Sequence, residues 1–254
     1  MLTYWRKRLP DVTLHLGVLL LWEIACRTVI PPMFLPPPSA IVAAFAETSR
    51  TGELWTQLRQ TLSVLSVGFG LAAVTGVIVG VAMGTSKTLS RFLDPYVNAM
   101  NAMPTVALVP VVIIWLGLGY EAKVFLTWLV SFFSMVISAQ TGVQNIPFSY
   151  LDTARAFASN RWAIIRMVVL PAAIPFIVSG IRIGLGRALV GVVVAEMFTA
   201  LSGLGYMLTN YGNTFKINFV FVPIVTLAIL SIVLNSCLQW AEKKLTPWNR
   251  GRNH

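Results

Sequence analysis

Apolar positions dominate six stretches of the chain, at about 12–30, 61–85, 96–117, 124–141, 172–198 and 219–240. Each is long enough for a helix across hydrocarbon, which takes roughly 20 residues. Between the first two lies "PPMFLPPPSAIVAAFAETSRTGELWTQLRQ". Its prolines stop the first helix and its polar residues place it outside hydrocarbon, with short surface helices predicted at 40–46 and 54–58. In the second stretch Ala72, Gly76, Gly80 and Gly84 recur every fourth residue, a small-residue rib that lets another helix backbone approach closely. The third contains Pro104 and Pro110, which predict one loosened, kinked span. Such a span survives where other protein or a cavity satisfies the freed carbonyls. The fifth and sixth are joined by "TALSGLGYMLTNYGNTFKIN", polar and Gly-rich, read as a partly re-entrant segment.

The insert between the fourth and fifth stretches, "DTARAFASNRWAIIRMVVLP", breaks the pattern. It is helix-prone and carries Arg155, Arg161 and Arg166, so its neighbour is water or another protein, not lipid. Ser149 followed by Asp152 fits a capping box. A helix is predicted from about Tyr150 through Ala154, Ala156 and Ala158. Asn160 tolerates a left-handed conformation and ends or bends it. "RWAIIRMVVLP" then resumes as a second helix heading back into the membrane. Two readings stand at this point: a small-residue face for a protein partner, or an ordinary solvated loop helix.

Composition agrees with the pattern. Of 254 residues, 56% are hydrophobic and 11% charged, where a soluble domain carries roughly 25% charged. This is the composition of a polytopic helical membrane protein, and one membrane domain accounts for the length. The net charge of +10 does not indicate nucleic acid, because the charges sit between apolar runs and not in a patch with interleaved aromatics. They read as topology signals. With a cytoplasmic N-terminus, Arg6, Lys7, Arg8, Lys87, Arg91, Arg155, Arg161, Arg166, Lys243, Lys244, Arg250 and Arg252 face inward, and only Arg50, Arg59, Lys123 and Lys216 face outward. Arg6, Lys7 and Arg8 are then the flank of an uncleaved first span, not of a signal peptide. Cys26 and Cys237 read as inert buried thiols, and no metal-ligand spacing is present.

Ionisable groups inside the spans come next. Glu23 and Arg27 stand at i, i+4 and are expected to pair. Arg182 and Arg187 lie about 16 and 24 Å along a helix from Pro171. One reading has them attract an anion such as a nitrate, sulfonate or carboxylate. The other has them pair with Glu196, Glu23 or freed carbonyls. Met100, Met103, Met135, Trp115 and Trp128 fit helix packing better than a gate.

"YLDTARAFASNRWAIIRMVVLP" resembles the EAA loop of ATP-binding-cassette (ABC) importer permeases. Asp152-Thr153-Ala154 stands for Glu-Ala-Ala, Ala158 for the following Gly, and Leu170-Pro171 closes the motif. "LDPYVNAMNAMPTVALVPVVIIWLGLG" and "GIRIGLGRALVGVVVAEMFTALSGLGYML" resemble the nitrate/sulfonate/taurine branch, which also includes pyrimidine-precursor permeases. The matching stretches cover most of 61–240.

The resemblance implies an all-α polytopic membrane protein with the type I importer permease fold: about six transmembrane helices and a cytoplasmic coupling helix. On this reading 1–60 holds the N-terminal span and an extracytoplasmic Pro-rich connection. Residues 61–240 form the permease core with the coupling loop at 144–171, and 241–254 a basic cytoplasmic tail. Implied partners are two ABC ATPase subunits, a second permease chain in a homodimer, an extracytoplasmic solute-binding protein and membrane lipid, in a bacterial inner membrane with both termini cytoplasmic. Asp152, Thr153, Ala154, Arg155, Ala156, Phe157, Ala158 and Ser159 are the ATPase-coupling positions. Arg182, Arg187, Glu196, Met103 and Pro104 are pathway candidates. Ser202, Gly203, Gly205 and Tyr206 are candidates for an outer gate or the binding-protein contact, alongside an ordinary glycine turn.

The chain carries no G-x-x-x-x-G-K-[ST] phosphate loop, so ATP and Mg are expected on the partner ATPase, with no cofactor, metal or catalytic residue here. The solute is expected to be small and anionic. A secondary transporter or channel without an ATPase partner, and a membrane scaffold, are the competing readings.

Overall fold

The structure, a computed structural model, describes residues 2–31, 33–157, 160–199 and 201–245. The described residues are helical throughout apart from short connections. Helix α1 spans Leu2–Thr28, α2 Pro38–Arg50, α3 Glu53–Thr85, α4 Lys87–Ala102, α5 Val109–Leu116, α6 Tyr120–Gln144, α7 Phe148–Ala156, α8 Arg161–Ile164, α9 Leu170–Thr199, α10 Leu204–Asn213 and α11 Ile217–Leu245.

Three helices make the core, α3, α6 and α9. The predicted rib explains the first contact. A Cβ on Gly76 would stand 2.9 Å from Met135 Cβ, and one on Gly80 would stand 2.7 Å from Ala139 Cβ and overlap the Val136 carbonyl. Contacts along α3 and α6 rise in step, from Gly68 against Thr127 to Gly84 against Val143, so the two helices run parallel. Helix α9 runs antiparallel to α6: Gly142 meets Phe176, Gly184 meets Met135 and Gly191 meets Val130. Small residues on all three helices bring the backbones close, and packing then holds them. Met135 is buried in that contact, as its packing role requires.

The parallel course of α3 and α6 needs a return segment, and the third apolar stretch provides it. It is not one kinked helix. Helix α4 ends at Ala102, a 3-10 turn covers Thr105–Leu108, and α5 follows at 94° to α4. Pro104 precedes the turn, in extended backbone. Pro110 does not kink a helix at all. It lies in the first turn of α5, where its missing N–H has no bond to lose.

Among the described residues four helices are long and apolar enough to cross a membrane, namely Glu53–Thr85, Tyr120–Gln144, Trp162–Thr199 and Ile217–Lys244, and the α4–α5 pair, bent by 94°, has the length and composition of a broken span or a re-entrant loop. Helix α1 is largely uncovered, with Leu16, Leu20 and Leu21 exposed. Within it Glu23 and Arg27 form the expected i, i+4 pair, 2.6 Å. Glu23 also accepts the Ser39 backbone N–H at 3.0 Å and its hydroxyl at 2.7 Å, and so caps α2 from another helix.

Other expectations are corrected. The 54–58 helix is the first turn of α3. The 40–46 helix is longer and half buried, with Ile41, Ala44 and Thr48 inside. Helix α7 starts at Phe148, behind Pro147, so Ser149 lies within it and not at an N-cap. Cys26 is buried but Cys237 lies on an uncovered face.

From Asn160 onward the chain re-enters the bundle as an unbroken run of helix. Asn160 accepts the Ile164 N–H at 3.0 Å as α8 begins. A π-helical turn, Ile165–Val169, carries it into α9, with the Leu170 N–H bonded to the Ile165 carbonyl. Pro171 follows immediately. Its ring crowds the carbonyl four residues back, and the wider i→i+5 turn makes room for it.

Candidate functional site

Three places bring polar chemistry into this apolar bundle. The first is at the end opposite α7, where α9 meets α10. The Thr61 hydroxyl on α3 donates to both Glu196 carboxyl oxygens, 2.9 and 3.0 Å. The Gly205 N–H donates to Glu196 Oε2 at 2.9 Å, and the Leu204 N–H to Thr61 Oγ1 at 2.9 Å. Gln57 accepts the Gly203 N–H at 2.6 Å. From α6, the Lys123 ammonium donates to the Ser202 carbonyl and hydroxyl, 2.9 and 3.0 Å. Three core helices thus grip one short loop.

Glycine is required twice in that loop. Gly203 has φ +106°, and a Cβ there would collide with the Glu196 carboxyl group. One on Gly205 would meet the Val193 carbonyl and stand 2.8 Å from Glu196 Cβ. Tyr206 follows, half buried, and Tyr211 donates its hydroxyl to Glu53 at 2.8 Å. Burial, then that bond to an anionic acceptor, pushes the Tyr211 phenol well above its ordinary range. Ser202, Gly203, Gly205 and Tyr206 therefore belong to a fixed cap, with α10 folded back onto α3, α9 and α11.

Lys123 corrects the sequence reading. It is not an outward loop charge; it lies within α6 and is 3% exposed. Nothing in the local pattern pointed to Thr61 or Gln57. Lys123 was visible as a cation at the edge of an apolar run.

The second place is the α4–α5 break. Arg187 on α9 donates from Nη1 to Asn101 Oδ1, 2.9 Å, in the last turn of α4. Met103 is half buried and Pro104 exposed beside it. Backbone this irregular, within a crossing, is tolerated only against protein or a water-filled cavity. In this chain one side of it is uncovered: Val106 and Trp115 are exposed, the latter at 73%.

Neither arginine pairs with Glu196 or Glu23. Arg182 pairs with Glu242 on α11, and Glu196 lies about 13 Å further along α9 than Arg187. The five pathway candidates thus fall into three groups: Glu196 in the cap, Arg187 with Met103 and Pro104 at the break, and Arg182 against α11.

The third place is α7. Asp152, Thr153, Ala156 and Phe157 are exposed and Ala154 is half buried. Arg155 lies in α7; Ala158 and Ser159 fall outside the described residues. Behind α7, a polar group is buried between α4 and α6. Gln140 donates to Asp94 at 2.7 Å and to Ser90 at 3.0 Å, and Ser90 donates to Asp94 at 2.7 Å. Among the described residues no group of three or more His, Cys, Asp or Glu could hold a metal.

Comparison with known proteins bears on the family and the fold. Residues 72–251 match the family model described as "Binding-protein-dependent transport system inner membrane component". The chain is 32% identical to the taurine transport system permease protein TauC of Escherichia coli, over 96% of this chain and 93% of that one. It is also 32% identical to the putative aliphatic sulfonates transport permease protein SsuC of Bacillus subtilis, over 96% and 90%. In fold it is similar to a chain of the inward-facing MetNI methionine ABC transporter. That likeness has a TM-score of 0.68 at 21% identity, over 76% of this chain and 98% of that one.

Proposed function

The chain belongs to the family of binding-protein-dependent transport system inner membrane components, and we propose that it carries a small organic anion, of the sulfonate class, through a pathway lined by the α4–α5 break. It is the membrane-spanning permease subunit of an ABC importer. The break is the observation that carries the pathway reading. Irregular backbone stands uncovered in mid-crossing, with an arginine beside it that has a single described hydrogen-bond partner. Water and a passing solute satisfy such backbone; lipid cannot. The guanidinium has further N–H donors in a planar fork suited to an oxyanion. Two relatives bear names concerned with taurine and aliphatic sulfonates, both sulfonates.

Around that pathway we place two permease chains, with α5 and its exposed Trp115 turned to the partner copy. Two ATPase subunits, which hold ATP and Mg, grip α7. An extracytoplasmic binding protein meets the capped loop at Ser202–Gly205. The α7 end is then the cytoplasmic end and both termini lie on that side, in a bacterial inner membrane. Helix α7 suits the ATPase contact because it lies between two crossings and presents Asp152, Thr153, Ala156 and Phe157. The chain from α8 into α9 carries any push on α7 along one continuous helix toward Glu196.

The test is co-expression with the cognate ATPase subunit, followed by uptake in sealed vesicles with a sulfonate-loaded binding protein. The complex is expected to co-purify, with uptake dependent on ATP. Ala156→Trp, on an exposed position, is expected to leave the chain in the membrane and abolish stimulation of ATP hydrolysis by the loaded binding protein. Transport without nucleotide, or normal stimulation in Ala156→Trp, overturns this reading.

A further inference from the structure

A cavity of about 1140 Å³ opens at the α7 end of the bundle, walled by the last turns of α3 and α6, the first turns of α4, and α7 with the π-helical turn. Its lining divides in two. Met83, Val143, Leu151 and Val169 give an apolar interior, and Lys87 and Arg91 give cations at the α4 side. The cations stand at i, i+4, on one face of the helix. Both are exposed, and neither forms an ion pair with a described carboxylate. They also occupy the first turns of α4, the positive end of its dipole, where a cation is disfavoured and an anion favoured. Asp94, the acid in the lining, is already held by Ser90 and Gln140.

We propose that this cavity holds one anionic phospholipid of the surrounding bilayer, its phosphate against Lys87 and Arg91 and an acyl chain along Leu151, Ile164 and Ile165, over the buried floor of Met83, Val143 and Val169. Depth decides for a lipid over a soluble anion. By length and composition α3 and α6 can each cross a bilayer, and their last turns wall the cavity, which places it at one end of both crossings. A soluble anion would use the cations and leave the apolar half unfilled. An amphiphile fills both, and basic recesses between crossing helices are suited to anionic headgroups. The lipid would also lie against Leu151 on the inner side of α7, bracing that helix against α4.

The experiment uses the full chain in complex with its ATPase, in detergent supplemented with phosphatidylglycerol, read by native mass spectrometry. One retained phosphatidylglycerol per permease chain is expected, with phosphatidylcholine not retained. The double variant Lys87→Gln/Arg91→Gln is expected to lower retention about thirtyfold, each basic residue beside an anionic headgroup being worth roughly a factor of five. Lys87→Arg is expected to keep it. Arg50→Gln/Lys216→Gln, at the other end of the bundle, is the control and is expected to retain lipid as the parent does. Equal retention in the cavity variant and the parent, or equal loss in the control, overturns the proposal. Displacement of the lipid by excess inorganic phosphate, with phosphate then retained alone, overturns the lipid assignment in favour of a soluble anion.

Discussion

Thr61 on α3 and Glu196 on α9 are joined by one hydroxyl that reaches both carboxyl oxygens, at 2.9 and 3.0 Å. The same Thr61 oxygen accepts the Leu204 N–H, and the same carboxyl group accepts the Gly205 N–H. Glu196 is wholly buried. Glu196→Ala therefore strands two buried donors at once. A loss on the order of 3 kcal/mol is expected, since hydrogen bonds to an acidic acceptor are the costly ones to break. Glu196→Gln keeps one acceptor oxygen and is expected to lose less. Denaturant titration of the purified chain checks both. Equal stability of the parent and Glu196→Ala counts against the cap.

The loop itself tolerates no side chain at Gly203. Its φ of +106° and the Glu196 carboxyl group both stand against a Cβ. Gly203→Ala is expected to destabilise at least as much as Glu196→Ala, because the collision displaces the group that the cap is built on. Gly212→Ala is the matched control. A Cβ there meets nothing within 4 Å, and replacing helical Gly by Ala gains about 1 kcal/mol of intrinsic propensity. The expected order in thermal unfolding is Gly212→Ala at or above the parent and Gly203→Ala far below.

These relationships mark where the sequence could be read and where it could not. A period of four small residues is a property of one helix, so Ala72, Gly76, Gly80 and Gly84 announced a close helix contact, though not that α6 makes it. Partners across the fold have no such period. Thr61 and Glu196 are 135 positions apart and Lys123 and Ser202 are 79 apart. Pro104 located the break but not its angle, because a proline fixes what the helix loses and not where the chain goes next. Pro110 was misread for the same reason: a proline costs a helix only when it falls past the first turn, and that depends on where α5 begins. Helix α7 was legible in place and approximate length, since the arginines of the insert that contains it exclude lipid. Its start was displaced by Pro147, which begins the helix ahead of the Ser149 cap.

The rib gives a third prediction. A side chain at Gly80 would run into the Val136 carbonyl and the Ala139 methyl. Gly80→Val is expected to force α3 and α6 apart and cost about 1–3 kcal/mol, the usual penalty for overpacking. Gly70, on the same helix, has nothing within 4 Å, so Gly70→Val is expected to be nearly neutral. Unfolding of the two variants side by side decides the matter. A neutral Gly80→Val would mean that α3 and α6 are not in backbone contact.

Arg187 and Asn101 give the last, and it separates a pathway role from a brace. If Arg187 only holds α4 through its 2.9 Å bond to Asn101, then Asn101→Ala removes the same interaction as Arg187→Gln, and uptake falls alike in both. A guanidinium that also meets the solute behaves differently. Asn101→Ala leaves its charge in place, whereas Arg187→Gln removes it. A charge-assisted bond is worth about 1.5–3 kcal/mol, so Arg187→Gln is expected to weaken uptake about 10–100-fold and to raise the half-saturating concentration of loaded binding protein little, since that contact is made elsewhere. Asn101→Ala is expected to cost much less. The double variant is expected to match Arg187→Gln alone, because once the charge is gone the brace has nothing left to position. Equal effects of the two single variants would assign Arg187 to holding the break and leave the anion without its cation.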